Sequence, residues 1–367
     1  MSTKRLSAET DVLVIGGGPG GYAAAIRAGQ LGRDVTLVAD DLGGTCLNHG
    51  CIPSKALLSA TEPIQKVSDA EARGIYADPY VDISELVSWK NRVVGRLTDG
   101  IAHLCAGSDV EVIDGRASFV DRHLAQIVTS AGKTEVSFET AVVATGSEPI
   151  ELPGFDTTTD EVITSREALS PSTIPDRIVV LGGGYIGMEL AFVYARLGTA
   201  VTVVELLEGI LPAFDEQVSE VVERRASQYD IETRVRTRAT GCERSDGTVF
   251  VEVVDEDGVT EKLKTERILV AVGRRPVTDT VDLGAIGVET TDDGFVVVDE
   301  HNRTSCENVY AVGDVAGEPM LAHKAHHEGV LVAERIAGDG GVRGIESVPA
   351  VVFTEPEIGV VGSASCG

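Results

Sequence analysis

The sequence predicts an α/β protein with two parallel-sheet units. An apolar run, a glycine-rich turn, a helical stretch, a second apolar run and an acidic residue follow one another near the N terminus, and the same order recurs in the middle of the chain. Two such βαβ repeats indicate two separate parallel sheets. The length of 367 residues is enough to bury at least two cores.

The first repeat consists of a strand at 12–15, a glycine turn from Gly16 to Gly21, a helix at 20–31 and a strand at 35–38. One glycine permits the tight turn, one lets the backbone approach a pyrophosphate, and one lets the helix lie close to the strand. The helix N terminus offers free N–H groups and a positive dipole end to phosphates. Asp40 follows where an acid that binds a ribose is expected. This repeat predicts a Rossmann-like dinucleotide-binding unit.

The second repeat has a strand at 178–181, a glycine turn from Gly182 to Gly187, a helix from Glu189 to Leu197 and a strand from Ala200 to Val204. Glu205 follows this strand and is placed to accept hydrogen bonds from both ribose hydroxyls of an unphosphorylated adenosine. The three residues after it contain no arginine for a 2′-phosphate. The repeat therefore favours NAD over NADP.

The other elements are predicted from helical and alternating apolar periodicity. Helices are expected at 55–72, 82–106 and 321–336, and strands at 118–128, 135–143, 248–254, 267–272 and 309–312. Pro149 and Pro153 mark a hinge into the second unit, and the segment from Gly273 to Pro276 marks the crossing back. These two features predict domain boundaries between residues 151 and 152 and between residues 273 and 274.

A cysteine pair directly follows the first repeat. Cys46 and Cys51 are expected on a loop that enters a helix, with Pro53 in the first turn and Lys55 after it. Four intervening residues allow the Cα–Cα distance of about 4.4–6.8 Å that a disulfide requires. A helix N terminus and a nearby cation both stabilise a thiolate, so the position indicates a redox-active pair. The alternative is two buried thiols.

The remaining cysteines carry no metal-ligand spacing. Cys105, Cys242 and Cys306 are interpreted as ordinary small apolar residues, and Cys366 lies near the end of the sequence. Three histidines, His323, His326 and His327, open a helix, but two are adjacent and cannot share a helix face, and no carboxylate completes a site. The sequence therefore predicts no metal site.

The charge balance limits the possible partners. The chain has 58 acidic and 31 basic side chains, a formal net charge of −27, spread along its whole length. This excess disfavours nucleic acids and anionic membrane surfaces as partners. It suits a halophilic protein, because the Debye length falls to about 3 Å at 1 M salt, although an acidic mesophilic protein is the alternative. No signal peptide and no apolar run of about 18 residues are recognised, so a cytoplasmic protein is expected.

The segment from Gly43 to Lys55, GGTCLNHGCIPSK, closely resembles the redox motif of the flavin disulfide reductases of the glutathione reductase type. The similarity covers nearly the whole chain and continues through Ala144–Gly146, Gly184–Glu189, Gly273–Arg274 and Tyr310–Asp314. The segment from Met320 to Ala325, together with Glu205, is similar to the dihydrolipoyl dehydrogenase branch of this family.

For the fold, this resemblance implies a FAD-binding domain (1–151 and 274–346) split by an inserted NAD-binding domain (152–273), and then the start of an α+β dimer-interface domain (347–367). For the chemistry, it implies that electrons pass from dihydrolipoamide to a Cys46–Cys51 disulfide, to FAD and then to NAD. Cys46 would be the interchange thiol and Cys51 the sulfur facing the flavin.

The resemblance also implies further site residues. Lys55 would lie near the flavin N5 and pair with Glu189, and Asp314 would bind the ribityl chain. The cofactor-binding residues that it implies are Gly16, Gly18, Gly20, Gly21, Asp40, Gly44, Thr45, Lys55, Ala117, Thr145, Gly146, Gly182, Gly184, Tyr185, Ile186, Gly187, Glu205, Ala239, Gly273, Asp314, Met320, Leu321, Ala322 and His323.

Two departures from the family pattern are visible. Ala39 stands where the family usually has a glutamate, with Asp40 next to it. The segment from Val348 to Glu357 resembles the start of the interface domain, but the sequence ends at Gly367, before the histidine–glutamate pair that the family uses as acid and base. A C-terminally truncated chain that carries the redox relay without this pair, and lacks most of the homodimer interface, is therefore expected.

The implied partner is the lipoyl domain of a 2-oxoacid dehydrogenase acyltransferase. Two alternatives stay open: another NAD(P)H-dependent disulfide or mercuric reductase, for which Cys366 alone is a weak indication, and an inactive FAD-binding fragment.

Overall fold

The computed structural model describes residues 9–246, 248–338 and 347–362, so Cys366 and the last part of the predicted domain 347–367 lie outside the described residues. The chain divides into two compact units. Unit 1 comprises Met1–Asn48, Gly95–Glu148 and Arg275–Val348, and unit 2 comprises His49–Val94, Pro149–Arg274 and Pro349–Gly367. The domain assignment by ligand stays a prediction, and residues 49–94 group with unit 2 rather than with the segments around them.

The helices within the described ranges are α1 (Pro19–Gln30), α2 (Cys51–Ala70), α3 (Ile83–Gly107), α4 (Ser165–Ala168), α5 (Tyr185–Arg196), α6 (Glu216–Gln228), α7 (Leu283–Ile286) and α8 (Ala322–Ile336). A π-helix spans Thr45–His49, and 3-10 helices span Glu71–Arg73 and Gly313–Ala316. None of the helices in the described part of the chain combines the length and the hydropathy needed to cross a membrane.

The strands are β1 (Glu9–Ile15), β2 (Val35–Ala39), β3 (Val110–Asp114), β4 (Arg116–Asp121), β5 (Leu124–Thr129), β6 (Gly132–Val143), β7 (Ser147–Pro149), β8 (Val162–Ile163), β9 (Arg177–Leu181), β10 (Ala200–Val204), β11 (Glu232–Arg234), β12 (Arg238–Ser245), β13 (Thr248–Val254), β14 (Thr260–Thr265), β15 (Arg267–Val270), β16 (Arg274–Pro276), β17 (Val309–Ala311), β18 (Ala350–Val352) and β19 (Ile358–Val360). The predicted strand at 118–128 is thus a hairpin of two strands.

Unit 1 is built on a seven-stranded sheet. Its order is β3-β2-β1-β6-β5-β4, and β17 also pairs with β6. The strands β3, β2, β1, β6 and β17 are parallel, while the first half of β6 pairs antiparallel with β5. The central strands read as continuous apolar runs and are buried, as is typical of parallel strands covered on both faces.

Helices α1 and α8 of unit 1 contact each other through small residues. An ideal Cβ on Gly329 of α8 would lie 2.2 Å from the backbone oxygen of Gly20 on α1. An ideal Cβ on Gly20 would lie 3.0 Å from a Val312 methyl and 3.2 Å from the Ala325 carbonyl oxygen. These glycines therefore allow the two helix backbones to approach each other beside the end of β17.

Unit 2 contains a five-stranded parallel sheet of order β11-β10-β9-β15-β8 and an antiparallel sheet of order β12-β13-β14. One apolar core joins α5 and α6 to the parallel sheet and includes Leu57 of α2 and Val352 of β18. A second core joins the two sheets. The fold is therefore the predicted α/β class with two Rossmann-like units.

Two helices begin four residues earlier than expected, α5 and α2, the latter predicted to start at residue 55. Helix α5 begins at Tyr185, four residues before the predicted start at Glu189, because Gly184 already has the extended conformation of an N-cap. Cys46 lies in the π-helix Thr45–His49 rather than in a loop, and α2 begins at Cys51 itself.

Candidate functional site

The glycine turn of unit 1 leaves the N terminus of α1 open. Gly16 has φ +111°, and an ideal Cβ there would lie 2.2 Å from the Ala144 carbonyl oxygen. An ideal Cβ on Gly21 would lie 1.8 Å from the Gly16 oxygen. On Gly18, by contrast, the nearest atom would be the Cα of Gly44 at 4.0 Å. The first and last glycines are therefore required for packing, whereas the middle one faces space.

The glycine turn of unit 2 repeats this arrangement. Gly182 has φ +102°, with the Ala271 oxygen 2.4 Å from an ideal Cβ, and on Gly187 the Gly182 oxygen would be 2.0 Å away. Nothing lies within 4 Å of an ideal Cβ on Gly184. Gly18 and Gly184 are both extended N-caps without a side-chain cap bond, each opening a helix of 12 residues. Both turns therefore fit a dinucleotide pyrophosphate.

Glu205 is fixed beside the second glycine turn. Its Oε2 accepts a hydrogen bond from the Gly183 amide at 2.7 Å, and its Oε1 accepts one from the Leu207 amide at 2.8 Å. The residue is 7% exposed. A carboxylate can accept about four hydrogen bonds, so capacity remains for ribose hydroxyls.

An arginine that the local sequence does not reveal lies near this acid. The Arg236 amide donates to the Leu207 carbonyl at 2.8 Å. Its guanidinium is paired with Glu256 at 3.0 Å and with Glu208 at 3.4 Å. Two carboxylates therefore neutralise the cation, so the prediction that Glu205 favours an unphosphorylated ribose is unchanged.

Asp40 has different surroundings from Glu205. It is exposed, and its Oδ2 accepts a hydrogen bond from Arg116 Nε at 2.8 Å. Ala39 occupies the position beside the first glycine turn that Glu205 occupies beside the second. An ideal Cβ on Gly17 would lie 2.7 Å from the Ala39 Cβ. An adenosine contact by Asp40 therefore stays a prediction.

Asp314 of unit 1 lies in the 3-10 helix Gly313–Ala316, and its Oδ2 accepts a hydrogen bond from the Ser147 hydroxyl at 2.5 Å. Close to Ser147 in sequence, the Thr145 hydroxyl donates to the Val277 carbonyl at 2.5 Å, and the Val277 amide donates to the Gly146 carbonyl at 3.0 Å. The sequence does not indicate Ser147, because nothing local links it to residue 314.

A buried ion pair supports the same helix. Glu328 on α8 accepts a hydrogen bond from the Gly313 amide at 2.7 Å and pairs with Lys324 at 3.0 Å. Lys324 also donates to the Gly317 carbonyl at 3.1 Å. Both side chains are 10% exposed. The sequence indicates this pair only through the i,i+4 spacing of Lys324 and Glu328 on a predicted helix. Met320, Leu321 and Ala322 are partly buried at the start of α8, and His323 is exposed.

Lys55 and Glu189 form an ion pair inside unit 2. Lys55 Nζ lies 2.6 Å from Glu189 Oε2, and the Glu189 side chain is 4% exposed against 29% for Lys55. The other carboxylate oxygen, Oε1, accepts a hydrogen bond from the Phe353 amide at 3.0 Å. The Lys55 ammonium also lies 4.4 Å from the centroid of the Phe353 ring. A buried carboxylate with these partners is fully compensated.

Ser54 connects this pair to the cysteine segment. Its hydroxyl lies 3.1 Å from the Cys51 carbonyl oxygen and 3.3 Å from Glu189 Oε2, and it accepts a hydrogen bond from Lys55 Nζ at 3.3 Å. A hydroxyl has one proton, so it can donate to only one of the two oxygens at a time. Cys46 and Cys51 are both partly buried, and their disulfide stays a prediction.

Asn48, between the two cysteines in sequence, is held within unit 1. Its amide nitrogen donates to Asp41 at 2.5 Å and to the Leu42 carbonyl at 2.9 Å, and its oxygen accepts from the Thr98 hydroxyl at 3.0 Å. These bonds fix the shape of the segment that contains Cys46.

The other predicted cofactor residues lie as follows. Gly44 and Gly273 have positive φ values, Thr45 is exposed at the start of the π-helix, Ala117 is buried in β4, Ala239 lies on β12, and Tyr185 and Ile186 open α5. Their ligand contacts stay predictions. Within the described ranges, no group of three or more His, Cys, Asp or Glu residues could hold a metal ion.

Known proteins are similar to this chain in both sequence and fold. The protein-family model described as pyridine nucleotide-disulphide oxidoreductase matches residues 10–329. The chain is 50% identical over 361 residues to a dihydrolipoyl dehydrogenase of Halobacterium salinarum, covering 97% of this chain and 76% of that protein. It is 45% identical over 359 residues to the dihydrolipoyl dehydrogenase of Bacillus subtilis, with 96% and 76% covered.

Solved structures of flavoprotein disulfide reductases and related proteins have a similar fold. LpdA from Mycobacterium tuberculosis is similar with a TM-score of 0.89 at 28% identity, covering 96% of this chain and 78% of that one. The flavoprotein disulfide reductase RclA from Escherichia coli gives a TM-score of 0.86 at 26% identity, with 97% and 78% covered. The chain belongs to the pyridine nucleotide-disulphide oxidoreductase family.

Proposed function

We propose that this chain is a flavin-dependent disulfide oxidoreductase that oxidises dihydrolipoamide with NAD. The observation that carries this proposal is the Lys55–Glu189 pair, which joins the residue four positions after Cys51 to the helix that opens at the second glycine turn. The identity of 40–50% to dihydrolipoyl dehydrogenases supports this substrate over other disulfides.

The overall reaction balances as dihydrolipoamide plus NAD⁺ giving lipoamide, NADH and one proton. Cys46 exchanges thiol and disulfide with the substrate, and Cys51 is the partner sulfur, so the pair carries two electrons as a dithiol. FAD, when bound, supplies the two-electron carrier between this dithiol and the nicotinamide.

The chain's own residues would hold both cofactors. The glycine turn at Gly16–Gly21 and the Asp314 carboxylate suit FAD, and the turn at Gly182–Gly187 with Glu205 suits NAD. Lys55, held by Glu189, places a positive charge beside the cysteine motif, where it stabilises a thiolate.

The partners follow from the substrate. Dihydrolipoamide is carried on the lipoyl domain of a 2-oxoacid dehydrogenase acyltransferase, so we expect that domain as the partner. We also expect a cytoplasmic location, and a homodimer for the full-length proteins of this family.

The test uses the purified full chain loaded with FAD in concentrated KCl. NADH formation from NAD and dihydrolipoamide is expected, together with bleaching of the flavin absorbance by NADH. The variant Cys46→Ser should lose dihydrolipoamide oxidation and keep the NADH-driven bleaching. Cys242→Ser, which changes a cysteine on β12 outside the motif, is the matched control and should keep both.

Other outcomes select among the alternatives. Activity with NADPH and another disulfide or mercuric ion, without dihydrolipoamide oxidation, would indicate a different reductase of the family. A chain that binds no FAD would be an inactive fragment. Equal loss in Cys46→Ser and Cys242→Ser would refute the assigned role of Cys46.

A further inference from the structure

Glu355 of unit 2 is the centre of a cluster of donors. Its carboxylate accepts hydrogen bonds from Arg196, Arg225 and Tyr229, with Arg225 Nε at 3.1 Å from Oε1. The Arg196 side chain is 6% exposed and also donates to the Leu58 carbonyl at 3.1 Å. Burial opposes ionisation of Glu355, but the three donors outweigh it and lower its pKa. These four residues are called the Glu355 cluster below.

The cluster lies two helical turns from the Lys55–Glu189 pair. Glu189 and Arg196 are both on α5 and seven residues apart, so they lie on one face of the helix. Phe353 and Glu355, two residues apart, contact Glu189 and Arg196 respectively. Thr354 between them is 4% exposed. The short segment 353–355 is therefore attached to the same helix face at both ends.

Phe353 sets the orientation of the ion pair. The Phe353 amide donates a hydrogen bond to Glu189 Oε1, so the other oxygen, Oε2, pairs with Lys55 Nζ. The centroid of the Phe353 ring lies 4.4 Å from the same Nζ. A carboxylate with one oxygen held by a backbone amide cannot rotate freely about its last bond. The direction of the Lys55 ammonium thus depends on where Phe353 is held.

We propose that Glu355 is a positioning residue that holds the Lys55–Glu189 pair in place through Phe353. It contacts neither member of the pair, and its effect passes along the segment 353–355 and helix α5. This inference rests on the proposed function, because that function gives the Lys55 ammonium its role beside the cysteine motif.

The first test measures the rate of hydrogen exchange at the backbone amides around Phe353, in the full chain with and without added FAD. In Glu355→Gln, hydrogen exchange in the segment around Phe353 should be at least about threefold faster. Glu357→Gln is the matched control, because this exposed glutamate lies in the same segment. It should leave the exchange rate unchanged. Equal exchange in Glu355→Gln and the unchanged protein would overturn the inference.

The second test asks whether Glu355 acts through Glu189. In the FAD-loaded chain, a Cys51 thiolate beside the flavin would give a long-wavelength charge-transfer absorbance after reduction by NADH, and the Lys55 ammonium would stabilise that thiolate. Glu189→Gln and Glu355→Gln should both lower this absorbance and shift its pH midpoint in the same direction. In the Glu189→Gln background, Glu355→Gln should add less than about a twofold further loss. Additive losses, or a lowered melting temperature with an unchanged spectrum, would overturn the inference.

If Glu355→Gln does not fold, the variant Tyr229→Phe provides the test instead. It removes one donor to Glu355 and keeps the carboxylate and both arginines. A shift of the absorbance in the same direction but smaller is expected, and an unchanged spectrum would count against the inference.

The two proposals fail in different ways. If Glu189→Gln changes the spectrum and Glu355→Gln does not, only the role of Glu355 fails. If Glu189→Gln itself changes neither the spectrum nor dihydrolipoamide oxidation, the proposed function of the pair fails with it.

Discussion

Glu189, Glu205 and Asp40 each follow or adjoin a nucleotide fingerprint, and their surroundings decide what each can do. Glu189 is buried and compensated by a lysine and a backbone amide. Glu205 is buried against two backbone amides. Asp40 is exposed and paired with Arg116, and pairs in such solvated positions contribute at most about 1 kcal/mol. The first two are therefore the positions where a change of charge has large effects.

Glu205→Gln tests the coenzyme site of unit 2. The amide nitrogen of glutamine must face one of the two backbone donors, Gly183 or Leu207, so one acceptor is lost. The neutral amide is also a weaker acceptor for the ribose hydroxyls than the carboxylate, and the loss of a hydrogen bond to a charged group costs about 1.5–3 kcal/mol, so we expect KM for NAD to rise at least about tenfold. Steady-state kinetics measure it. The exposed Glu220→Gln on α6 is the control and should keep KM unchanged. A normal KM in Glu205→Gln would show that this carboxylate does not bind the coenzyme.

Glu355 gives a prediction about pH. Its folded-state pKa is lowered from 4.5 despite burial, so its contribution to stability is present above that value and is lost as the pH falls through the folded-state pKa. The melting temperature of Glu355→Gln should therefore lie below that of the unchanged protein at neutral pH, and the gap should close in acid. Thermal melts across this range measure the gap. A gap that widens in acid would contradict the assignment.

The glycines at the starts of helices α1 and α5 have separate functions. Gly184 faces open space, whereas Gly187 contacts the backbone of Gly182. The same division holds for Gly18 and Gly21 in unit 1. One position in each turn is thus left open, where we propose that the pyrophosphate binds, and another is required by the fold.

Two alanine variants separate these purposes. Gly187→Ala would bring a methyl group to 2.0 Å from the Gly182 oxygen, so it should destabilise the chain by several °C or prevent folding. Gly184→Ala meets nothing within 4 Å and its φ is −69°, so the melting temperature should stay within about 2 °C while NAD binding weakens. Thermal melts and a coenzyme titration measure both. If Gly184→Ala kept full NAD affinity, the pyrophosphate would not bind at this turn.

The sequence allowed both βαβ units and their glycine turns to be predicted, because each is encoded within about 30 contiguous residues. The start of α5 at Tyr185 was not, since a glycine N-cap gives no polar side-chain signal. The contact of Phe353 with Glu189 joins residues 164 positions apart, and the Glu355 cluster likewise depends on packing between distant segments. Long-range positioning of this kind has no local pattern that periodicity or capping rules could detect.

The whole molecule carries a net charge of −27, and this excess should govern its stability. The 58 acidic side chains outnumber the 31 basic ones, so unpaired carboxylates repel one another across the surface at low salt. Screening shortens that repulsion from a range of about 10 Å at 0.1 M to about 3 Å at 1 M. The similar dihydrolipoyl dehydrogenases from Halobacterium salinarum and Haloferax volcanii come from halophilic archaea, which agrees with this reasoning.

We therefore expect the melting temperature to rise steeply between about 0.1 M and 1 M KCl, where most of the screening develops. Sucrose at equal osmolality is the control, because it is excluded from protein surfaces and favours the folded state without screening charge. It should raise the melting temperature much less than KCl does. Because sulfate also strengthens apolar burial, the comparison uses KCl, which acts mainly through ionic strength. A melting temperature independent of KCl, or equal gains from KCl and sucrose, would show that repulsion among the carboxylates does not limit the stability of this chain.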